Sequence, residues 1–353
     1  MQRTKKEDVP EILYHYCNID TFKKIIENKT IRLSNIFKMN DCSEVMHVLE
    51  FLPSALNEEY GKDPFVFNYK GTANEKAFDQ IVSDIEKDIN EVKYLSYIAC
   101  FSDSENDLAH WNRYGDDGKG VAIGYDGEIL FDIAKQCSVE MTNVIYSVEE
   151  HKEYIKVTIV PRIFEAIKNS GNNENVKHGI CPHDSMALTC ILSDISAILL
   201  SAVKYKHEAY KDEKEWRLYL NSQITQLYYP EDIKKYSDNV QYGDMVRNKL
   251  SFDNKLNNGI SSHFDLFFGK SKNASNIIRK IVIGPRSIIN ENDLDLRVIL
   301  NINGFNIGLP HVALAAIQQS KIPYIGSTLP SHPGNTGGCS LHRASDAVPR
   351  CLI

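Results

Sequence analysis

Short runs of strand-forming residues recur along most of the chain, and helical or polar segments separate each run from the next. β-branched and aromatic residues dominate these runs, which favours extended strands. The clearest are ILYHYC (12–17), IRLS (31–34), YLSYIACF (94–101), VAIGY (121–125), EWRLYL (215–220), FDLFF (264–268) and IIRKIVI (277–283). Apolar residues at helical spacing predict helices at 21–28, 75–92, 107–114, 149–168, 186–203 and 292–300. Because strands and helices interleave without a repeating unit, the sequence predicts an α+β domain.

Polar and mixed segments predict the boundaries between these elements. Asp20 is of a residue type that caps helices, and it directly precedes the helix at 21–28. The polar sequence NDCSE (40–44) predicts a loop, and residues 52–75 have the mixed composition of another loop. Residues 144–147 favour a short strand before the helix at 149–168.

The composition is that of a folded protein. The chain has 353 residues, of which 42% are hydrophobic and 25% are charged. Both fractions lie near the averages for globular proteins. The net charge of -7 opposes the phosphate backbone of nucleic acids. A DNA-binding role that depends on overall charge is therefore excluded, although a local basic groove is not.

The C-terminal segment differs in composition from the residues before it. From Gly326 onward the sequence is rich in glycine, serine and proline and has no apolar period. Such a segment cannot bury enough apolar surface to offset the entropy lost on ordering it. No linker divides the preceding residues. The sequence predicts one globular domain over 10–325 and a disordered tail over 326–353.

The cysteines and the hydropathy pattern favour a cytoplasmic protein with no membrane anchor. Eight cysteines are present without a CxxC pair, and the N-terminal MQRTKKEDVPEIL has no apolar export segment. Only 186–203 approaches the length of a membrane span, and its helical apolar spacing with an internal aspartate predicts a buried core helix. The soft ligands nearby lack the spacing of a zinc site, so no metal is expected there. They are His178, Cys181, His183 and Cys190.

Two carboxylates stand one residue apart where the strand at 215–220 begins. Residues two apart in a strand point to the same face, so Glu213 and Glu215 can enter one cleft. Their mutual repulsion then requires a cationic substrate, a metal ion or a hydrogen-bond network. The alternative is an ordinary solvated pair beside Lys211 and Lys214.

Two aromatic segments are further candidates for a binding site. In LYHY (13–16), Tyr14 and Tyr16 share one face of the strand and His15 takes the other. His15 then either enters a pocket or serves as a hydrogen-bonded structural residue. Trp111 and Tyr114 are three apart on a short helix, so they either offer aromatic surfaces to a ligand or pack on the sheet. The glycine-rich turn that follows matches neither a Walker loop nor a Rossmann fingerprint.

The motifs, taken in order, resemble a bacterial family of unknown function. The family pattern is an LYHY strand, an ND-x-x-E loop, a CFS…W-x-x-YG…KG-x-x-IG core, an E-x-E-WR strand and a late IIIGP strand. The matching segments are LYHY (13–16), NDCSE (40–44), CFS (100–102), WNRYGDDGKGVAIG (111–124), EKEWRLY (213–219), IVIGP (281–285) and SKIPY (320–324). The resemblance covers about residues 10–325 and excludes the tail.

The order of these parts also resembles the ADP-ribosyltransferase superfamily. The resemblance implies an α+β fold with an ADP-ribosyltransferase-like split mixed β-sheet core, peripheral helices and a helical insertion. It implies NAD as the substrate and ADP-ribose transfer to an unidentified protein or nucleic-acid acceptor, or to water in an NAD glycohydrolase. It further implies a bacterial defence or toxin effector, with an antitoxin or another defence-system component as partner.

The same resemblance assigns roles to individual residues. Glu215, the second glutamate of E-x-E, would be the catalytic one, and Glu213 would orient or deprotonate the acceptor. His15 would hold the ribose of NAD. The other NAD-contacting residues that it implies are Tyr16, Ser102, Trp111, Tyr114, Lys119 and Arg217.

The chemistry of NAD cleavage suits these residue types. Breaking the bond between nicotinamide and ribose builds positive charge on the ribose, which a carboxylate stabilises much as in glycoside hydrolysis. The nicotinamide ring of NAD is cationic, so the face of Trp111 or Tyr114 would attract it.

Two other interpretations of the sequence remain open. One is a metal-dependent nuclease or phosphodiesterase built on Asp41, Glu44 and Glu215, which would lose activity in a chelator. The other is a non-catalytic sensor or binding domain, whose function would survive a Glu215→Gln substitution. Fold resemblance alone does not decide between them.

Overall fold

The computed structural model describes residues 4–38, 43–62, 68–69, 72–73, 79–83, 94–137, 139–171, 203–223, 251–255, 259–269, 274–305 and 316–323. The strands are β1 (Ile12–Cys17), β2 (Thr30–Asn35), β3 (Asn68–Tyr69), β4 (Thr72–Ala73), β5 (Tyr94–Ser102), β6 (Val121–Asp126), β7 (Glu140–Asn143), β8 (Glu215–Gln223), β9 (Ser251–Lys255), β10 (Gly259–Phe267), β11 (Ile278–Ile283) and β12 (Ala316–Gln319). The helices are α1 (Ile19–Asn28), α2 (Ser43–Lys62), α3 (Leu108–Arg113), α4 (Gly127–Gln136), α5 (Val148–Tyr154), α6 (Val160–Gly171) and α7 (Leu294–Ile302).

Ten of these strands form one mixed sheet. Eight follow the order β12-β11-β6-β1-β5-β2-β10-β9, and β8 and β7 extend the sheet from β5. Within the described ranges, β11 and β12 are parallel and the other strand pairs are antiparallel. The predicted α+β class is confirmed.

The sheet divides at β5. One edge of β5 pairs with β8 along its whole length, from Tyr94 to Ser102. The opposite edge is shared, because β1 pairs with it at Ser102 whereas β2 pairs with it at Tyr97 and Ile98. β1 and β2 therefore leave β5 at different points along the strand.

The two faces of the sheet carry different side chains. The core face holds the main apolar cluster, which includes Leu13, Phe101, Ile123 and Trp216. The opposite face, here called the α3 face, holds a smaller cluster in which Tyr14 and Tyr16 of β1 pack with Trp111 of α3. The predicted alternation of Tyr14, His15 and Tyr16 places His15 on the core face, where its ring lies 5.7 Å from that of Phe101.

The first helix begins at Ile19, two residues earlier than predicted. Asn18, rather than Asp20, is the capping residue, and its side chain accepts a hydrogen bond from the backbone N–H of Thr21 at 2.7 Å. Asp20 lies in the first turn, where its charge favours the helix dipole. Phe22, Ile25 and Ile26 are buried as one face, so α1 packs on the core face as its spacing predicts.

Several of the predicted boundaries are wrong. Helix α2 begins at Ser43, inside the loop predicted at 40–44. The predicted loop at 52–75 is helical up to Lys62, because α2 continues through Pro53. The strand predicted at 144–147 is also displaced. Strand β7 occupies Glu140–Asn143, and Ile145 makes only an isolated bridge to Tyr205. Apart from Val203, the helix predicted at 186–203 lies outside the described residues, as does most of the helix predicted at 75–92.

A close backbone contact of Gly284 with the turn that contains Gly118 and Gly120 leads to a prediction about stability. A Cβ atom on Gly284 would lie 2.3 Å from the carbonyl oxygen of Gly118, and the N–H of Gly284 donates to Gly120 at 2.9 Å. Backbone has to move to relieve that clash, so we expect Gly284→Ala to lower the free energy of unfolding by about 1–3 kcal/mol. Urea unfolding measures the change. Gly61→Ala is the control, because a Cβ atom on Gly61 of α2 would meet nothing within 4 Å. An unfolding free energy of Gly284→Ala equal to that of the wild type would contradict the close contact with Gly118.

In the part of the chain that is described, none of the helices combines the length and apolar character needed to cross a bilayer. The predicted domain boundary at 325 and the tail after it fall beyond residue 323, where the described residues end. That boundary stays a prediction.

Candidate functional site

Strand register brings one glutamate to the α3 face. Tyr14 of β1 lies opposite Ser102 of β5, and Ser102 lies opposite Glu215 of β8. Residues directly opposite each other in neighbouring strands share a face. Glu215 therefore lies on the same face as Tyr14, and Arg217, two residues along β8, lies there as well.

Helix α3 covers this face and is held by buried aromatic packing. Trp111 is fully buried, and its ring meets that of Tyr16 edge to face at 4.8 Å. The indole N–H of Trp111 donates to the Asn106 side chain at 2.7 Å. Tyr16 in turn donates from its hydroxyl to the carbonyl of Ser104 at 2.9 Å. These contacts fix α3 relative to β1, so the residues at its C-terminal end have defined positions.

The two carboxylates meet at one lysine. The Nζ atom of Lys206 lies 2.6 Å from Oε2 of Glu213 and 3.0 Å from Oε2 of Glu215. All three side chains are at least nine-tenths buried. Burial of two neighbouring carboxylates is unfavourable unless cations and hydrogen bonds compensate their charge. Lys206 provides part of that compensation to both.

Arg217 completes the ion pairs of Glu215. Its guanidinium donates to both carboxylate oxygens, from Nε at 2.7 Å and from Nη2 at 3.1 Å, and also to the carbonyl of Val203 at 2.8 Å. Burial alone would raise the pKa of Glu215, but Arg217 and Lys206 outweigh it and hold that pKa at about 2. Glu215 is therefore ionised throughout the physiological pH range.

Glu213 lies under side chains that reach the surface. Its Oε1 accepts hydrogen bonds from Nη1 of Arg113 at 2.6 Å and from the hydroxyl of Tyr114 at 3.0 Å. The Arg113 side chain is 47% exposed and Tyr114 is 42% exposed, whereas Glu213 itself is almost completely buried. The ring of Tyr210 lies under Lys206 and Arg113, at 4.8 and 5.6 Å from their cationic centres. A ligand that approaches Glu213 would meet an arginine and two tyrosines first.

A left-handed residue, not strand geometry, brings the carboxylates together. Glu213 ends a short 3₁₀ helix, Lys214 has φ of 43°, and β8 begins at Glu215. Ser102 donates from its hydroxyl to the carbonyl of Glu213 at 2.8 Å, and the N–H of Glu215 donates to the Tyr146 hydroxyl at 2.9 Å. The predicted convergence of the carboxylates occurs, although the predicted reason for it was different.

Most of the predicted site residues lie on the α3 face. Tyr114 and Arg217 contact the carboxylates directly, Ser102 supports the backbone of Glu213, and Tyr16 packs beneath α3. Trp111 is too deeply buried to present a face to a ligand. The described contacts support the packing alternative for this residue.

His15 and Lys119 lie away from the carboxylates. His15 is on the core face and two strands from Glu215, and its Nδ1 lies 3.0 Å from the carbonyl of Cys100. Desolvation lowers the pKa of His15, although the contact with that carbonyl works in the opposite direction. Lys119 is exposed in the turn after α3. The structure therefore does not bring His15 and Glu215 to one face.

Lys206, Arg113 and Tyr146 were missed by sequence reasoning. Arg113 lies inside the WNRYG motif next to Tyr114, so proximity to a motif could have identified it. Lys206 precedes Glu213 by seven residues in an irregular segment, and Tyr146 is 69 residues from its partner Glu215. No sequence period connects these two residues to the carboxylates.

The described residues offer little to a divalent cation. Asp41 and the side chain of Glu44, which the nuclease interpretation requires, lie outside them. Within the described ranges no group of three His, Cys, Asp or Glu side chains is arranged to hold a metal ion. Glu215 already faces two cationic side chains, and these would repel a metal ion.

Part of the chain is similar to a known protein family. Residues 110–218 match the family described as "Protein of unknown function (DUF2971)", which is less than half of the chain. The matched segment includes Trp111, Tyr114 and both glutamates. Neither the curated proteins nor the solved structures gave a match. The similarity agrees with the expected family of unknown function and assigns no activity to the site.

Proposed function

We propose that this protein cleaves the bond between nicotinamide and ribose in NAD and transfers ADP-ribose to an unidentified acceptor. The observation that carries the proposal is the pair of buried carboxylates, Glu213 and Glu215, that share Lys206 beneath the exposed residues Arg113 and Tyr114. Two charged carboxylates in a nearly water-free setting are suited to stabilising positive charge that develops on a substrate.

In this proposal Glu215 acts as a fixed negative charge. Its pKa of about 2 keeps it ionised, so it is a weak base and contributes through electrostatic attraction. A ribose that becomes oxocarbenium-like as nicotinamide leaves would gain from that charge. Glu213, with Tyr114 hydrogen-bonded to it, would orient the acceptor.

The charges around the pair also suit NAD. Among the described residues, three cations surround the two carboxylates, and their positive charge suits the anionic diphosphate; they are Arg113, Lys206 and Arg217. Arg113 is the most exposed of the three. The ligand displaces it from Glu213, and the exposed ring of Tyr114 then lies beside the cationic nicotinamide.

The divided sheet supports the same proposal at the level of the fold. β1 and β2 separate along one edge of β5, which is consistent with the split core of ADP-ribosyltransferases implied by the sequence motifs. A role as a bacterial toxin or defence effector in the cytoplasm, together with an antitoxin or similar partner, belongs to this proposal and rests on the motifs alone.

The test is NAD consumption by the purified protein in EDTA, with cell lysate as the source of acceptors. We expect nicotinamide release by the wild type and a loss of roughly 10²–10³-fold in kcat for Glu215→Gln, as when a charge-stabilising donor is removed. Glu213→Gln should reduce transfer as well. NAD binding by calorimetry and circular dichroism at the assay temperature establish that each variant is folded.

Glu208→Gln is the matched control, since Glu208 is an exposed carboxylate in the same 3₁₀ helix as Glu213. Equal turnover in Glu208→Gln and wild type, with turnover lost in Glu215→Gln, is the expected result. Absence of both NAD binding and turnover in the wild type would overturn the proposal.

A second candidate function is a non-catalytic binding or sensor domain. The observation in its favour is that both oxygens of Glu215 already accept hydrogen bonds from Arg217, and one of them also contacts Lys206. A carboxylate with all of these partners is well suited to a structural role. NAD binding with no nicotinamide release by the wild type would favour this candidate.

A further inference from the structure

A histidine and an aspartate at the start of α3 form a pair that the proposed function has not used. Asp107 caps the helix, and its Oδ1 accepts a hydrogen bond from the N–H of His110 at 3.0 Å. The same oxygen lies 3.0 Å from Nδ1 of the His110 ring. Burial raises the pKa of Asp107, but its hydrogen bonds with His110 outweigh that effect and lower it. An ionised Asp107 therefore keeps the ring proton of His110 on Nδ1.

The other ring nitrogen of His110 has no hydrogen-bond partner among the described residues. His110 is only 5% exposed, and among the described residues its Nε2 makes no hydrogen bond. Its ring lies between those of Tyr16 and Tyr114, at centroid distances of 4.9 and 5.9 Å. An acceptor nitrogen that makes no hydrogen bond, on a ring held in place by an aspartate, is the arrangement of a general base.

Tyr114 connects this pair to the carboxylates. One side of Tyr114 packs near the His110 ring, and its hydroxyl donates to Oε1 of Glu213. Because Nδ1 faces Asp107, Nε2 faces away from it. Arg113 and Tyr114, which cover Glu213, belong to the same helical segment as His110.

The proposed reaction needs a base that neither glutamate provides well. A hydroxyl acceptor, water included, has to lose a proton when it attacks the ribose. Glu213 accepts hydrogen bonds from Arg113, Tyr114 and Lys206, and Glu215 is held ionised by two cations. Glu215 therefore has little affinity for a further proton, and both oxygens of Glu213 are already occupied by donors.

We infer that His110 is the general base that deprotonates an acceptor hydroxyl, with Asp107 as the positioning residue that orients it. This inference rests on the proposed function. The acceptor oxygen forms a bond to C1 of the ribose, and the bond from C1 to nicotinamide breaks with its electron pair passing to the nicotinamide ring. The hydroxyl proton moves to Nε2 of His110, and Asp107 stabilises the resulting imidazolium.

Azide gives a test that separates this role from a structural one, because azide is anionic and attacks without losing a proton. NAD consumption is measured for wild type and His110→Asn with and without sodium azide. We expect His110→Asn to lower kcat for hydrolysis by about 10²-fold or more with KM for NAD unchanged. Azide should restore NAD consumption and yield ADP-ribosyl azide. Azide should not restore NAD consumption by Glu215→Gln.

Two further variants complete the experiment. Asp107→Asn keeps a helix-capping side chain but loses the charge, so we expect a smaller loss that azide also restores. His207→Asn is the control, because His207 is an exposed histidine. It accepts a hydrogen bond from the N–H of Ala209, and an asparagine side chain can accept the same bond. His110→Asn with wild-type turnover, or with a loss that azide does not restore, would overturn the inference. Failure of the wild type to consume NAD under any condition would instead overturn the proposed function, and the inference with it.

Discussion

Replacing Glu215 with glutamine is expected to lower the free energy of unfolding by roughly 3–5 kcal/mol, the usual cost of removing one partner from a buried ion pair. Arg217 is 1% exposed and donates two of its hydrogen bonds to Glu215. In the variant, the guanidinium would remain buried without the charge of Glu215. Urea unfolding followed by circular dichroism gives the free energy of each protein.

A double variant distinguishes loss of the partner from loss of the pair. Glu215→Leu with Arg217→Leu removes both charges, and such replacements are often neutral or stabilising. We therefore expect the double variant to be more stable than Glu215→Gln. Glu208→Gln should stay within about 0.5 kcal/mol of the wild type, as a surface substitution. A Glu215→Gln variant as stable as this control would show that the ion pair contributes nothing to the fold.

Acid is expected to remove about 3 kcal/mol of stability through Glu215 alone, at 1.36 kcal/mol per pKa unit. The folded pKa of Glu215 is about 2, below its ordinary value of 4.5. In acid the unfolded chain therefore binds the proton first. The contribution of Glu215 is fully present above pH 4.5 and is lost as the pH falls towards 2.

Unfolding free energies measured at pH 6, 4, 3 and 2 test this expectation. The difference between the wild type and Glu215→Gln should be largest at pH 6 and should shrink by about 3 kcal/mol at pH 2. A difference that stays constant over this range would mean that Glu215 is not the group that titrates.

The local features of the site could be predicted from the sequence. Alternation within LYHY correctly separated His15 from Tyr14 and Tyr16, because the period of two is a property of each strand by itself. The helix that carries Trp111 was also predicted. The proximity of Glu213 and Glu215 followed from their position in the chain, even though Lys214 adopts a left-handed conformation that no pattern in the sequence indicates.

The relations between strands could not be predicted. Alternation shows which residues of β1 share a face, but not whether that face is also the face of Glu215 on β8. That depends on two registers with β5, which join residues almost 90 and more than 100 positions apart. For this reason the sequence alone did not separate His15 from Glu215. The same limit applies to Lys206, because no local rule relates an irregular segment to a buried carboxylate.

The α2 prediction failed for a simpler reason. Proline in a helix interior removes a hydrogen bond and crowds the preceding turn. The mixed composition of residues 52–75 predicted a loop, and Pro53 adds a further local preference against a helix. The structure continues α2 through this proline to Lys62, so the packing of α2 outweighs the local preference against helix.

The position of β5 in the sheet also governs when the chain can fold as it is synthesised. Its two edges are completed by β1 and β2, made before it, and by β8, which ends at Gln223. β6 likewise waits for β11, which ends at Ile283. A nascent chain that has emerged only as far as α6 thus exposes two central strand edges, and such edges readily pair with other chains. We expect the N-terminal half of this protein to complete its fold only after β8 and β11 have emerged from the ribosome.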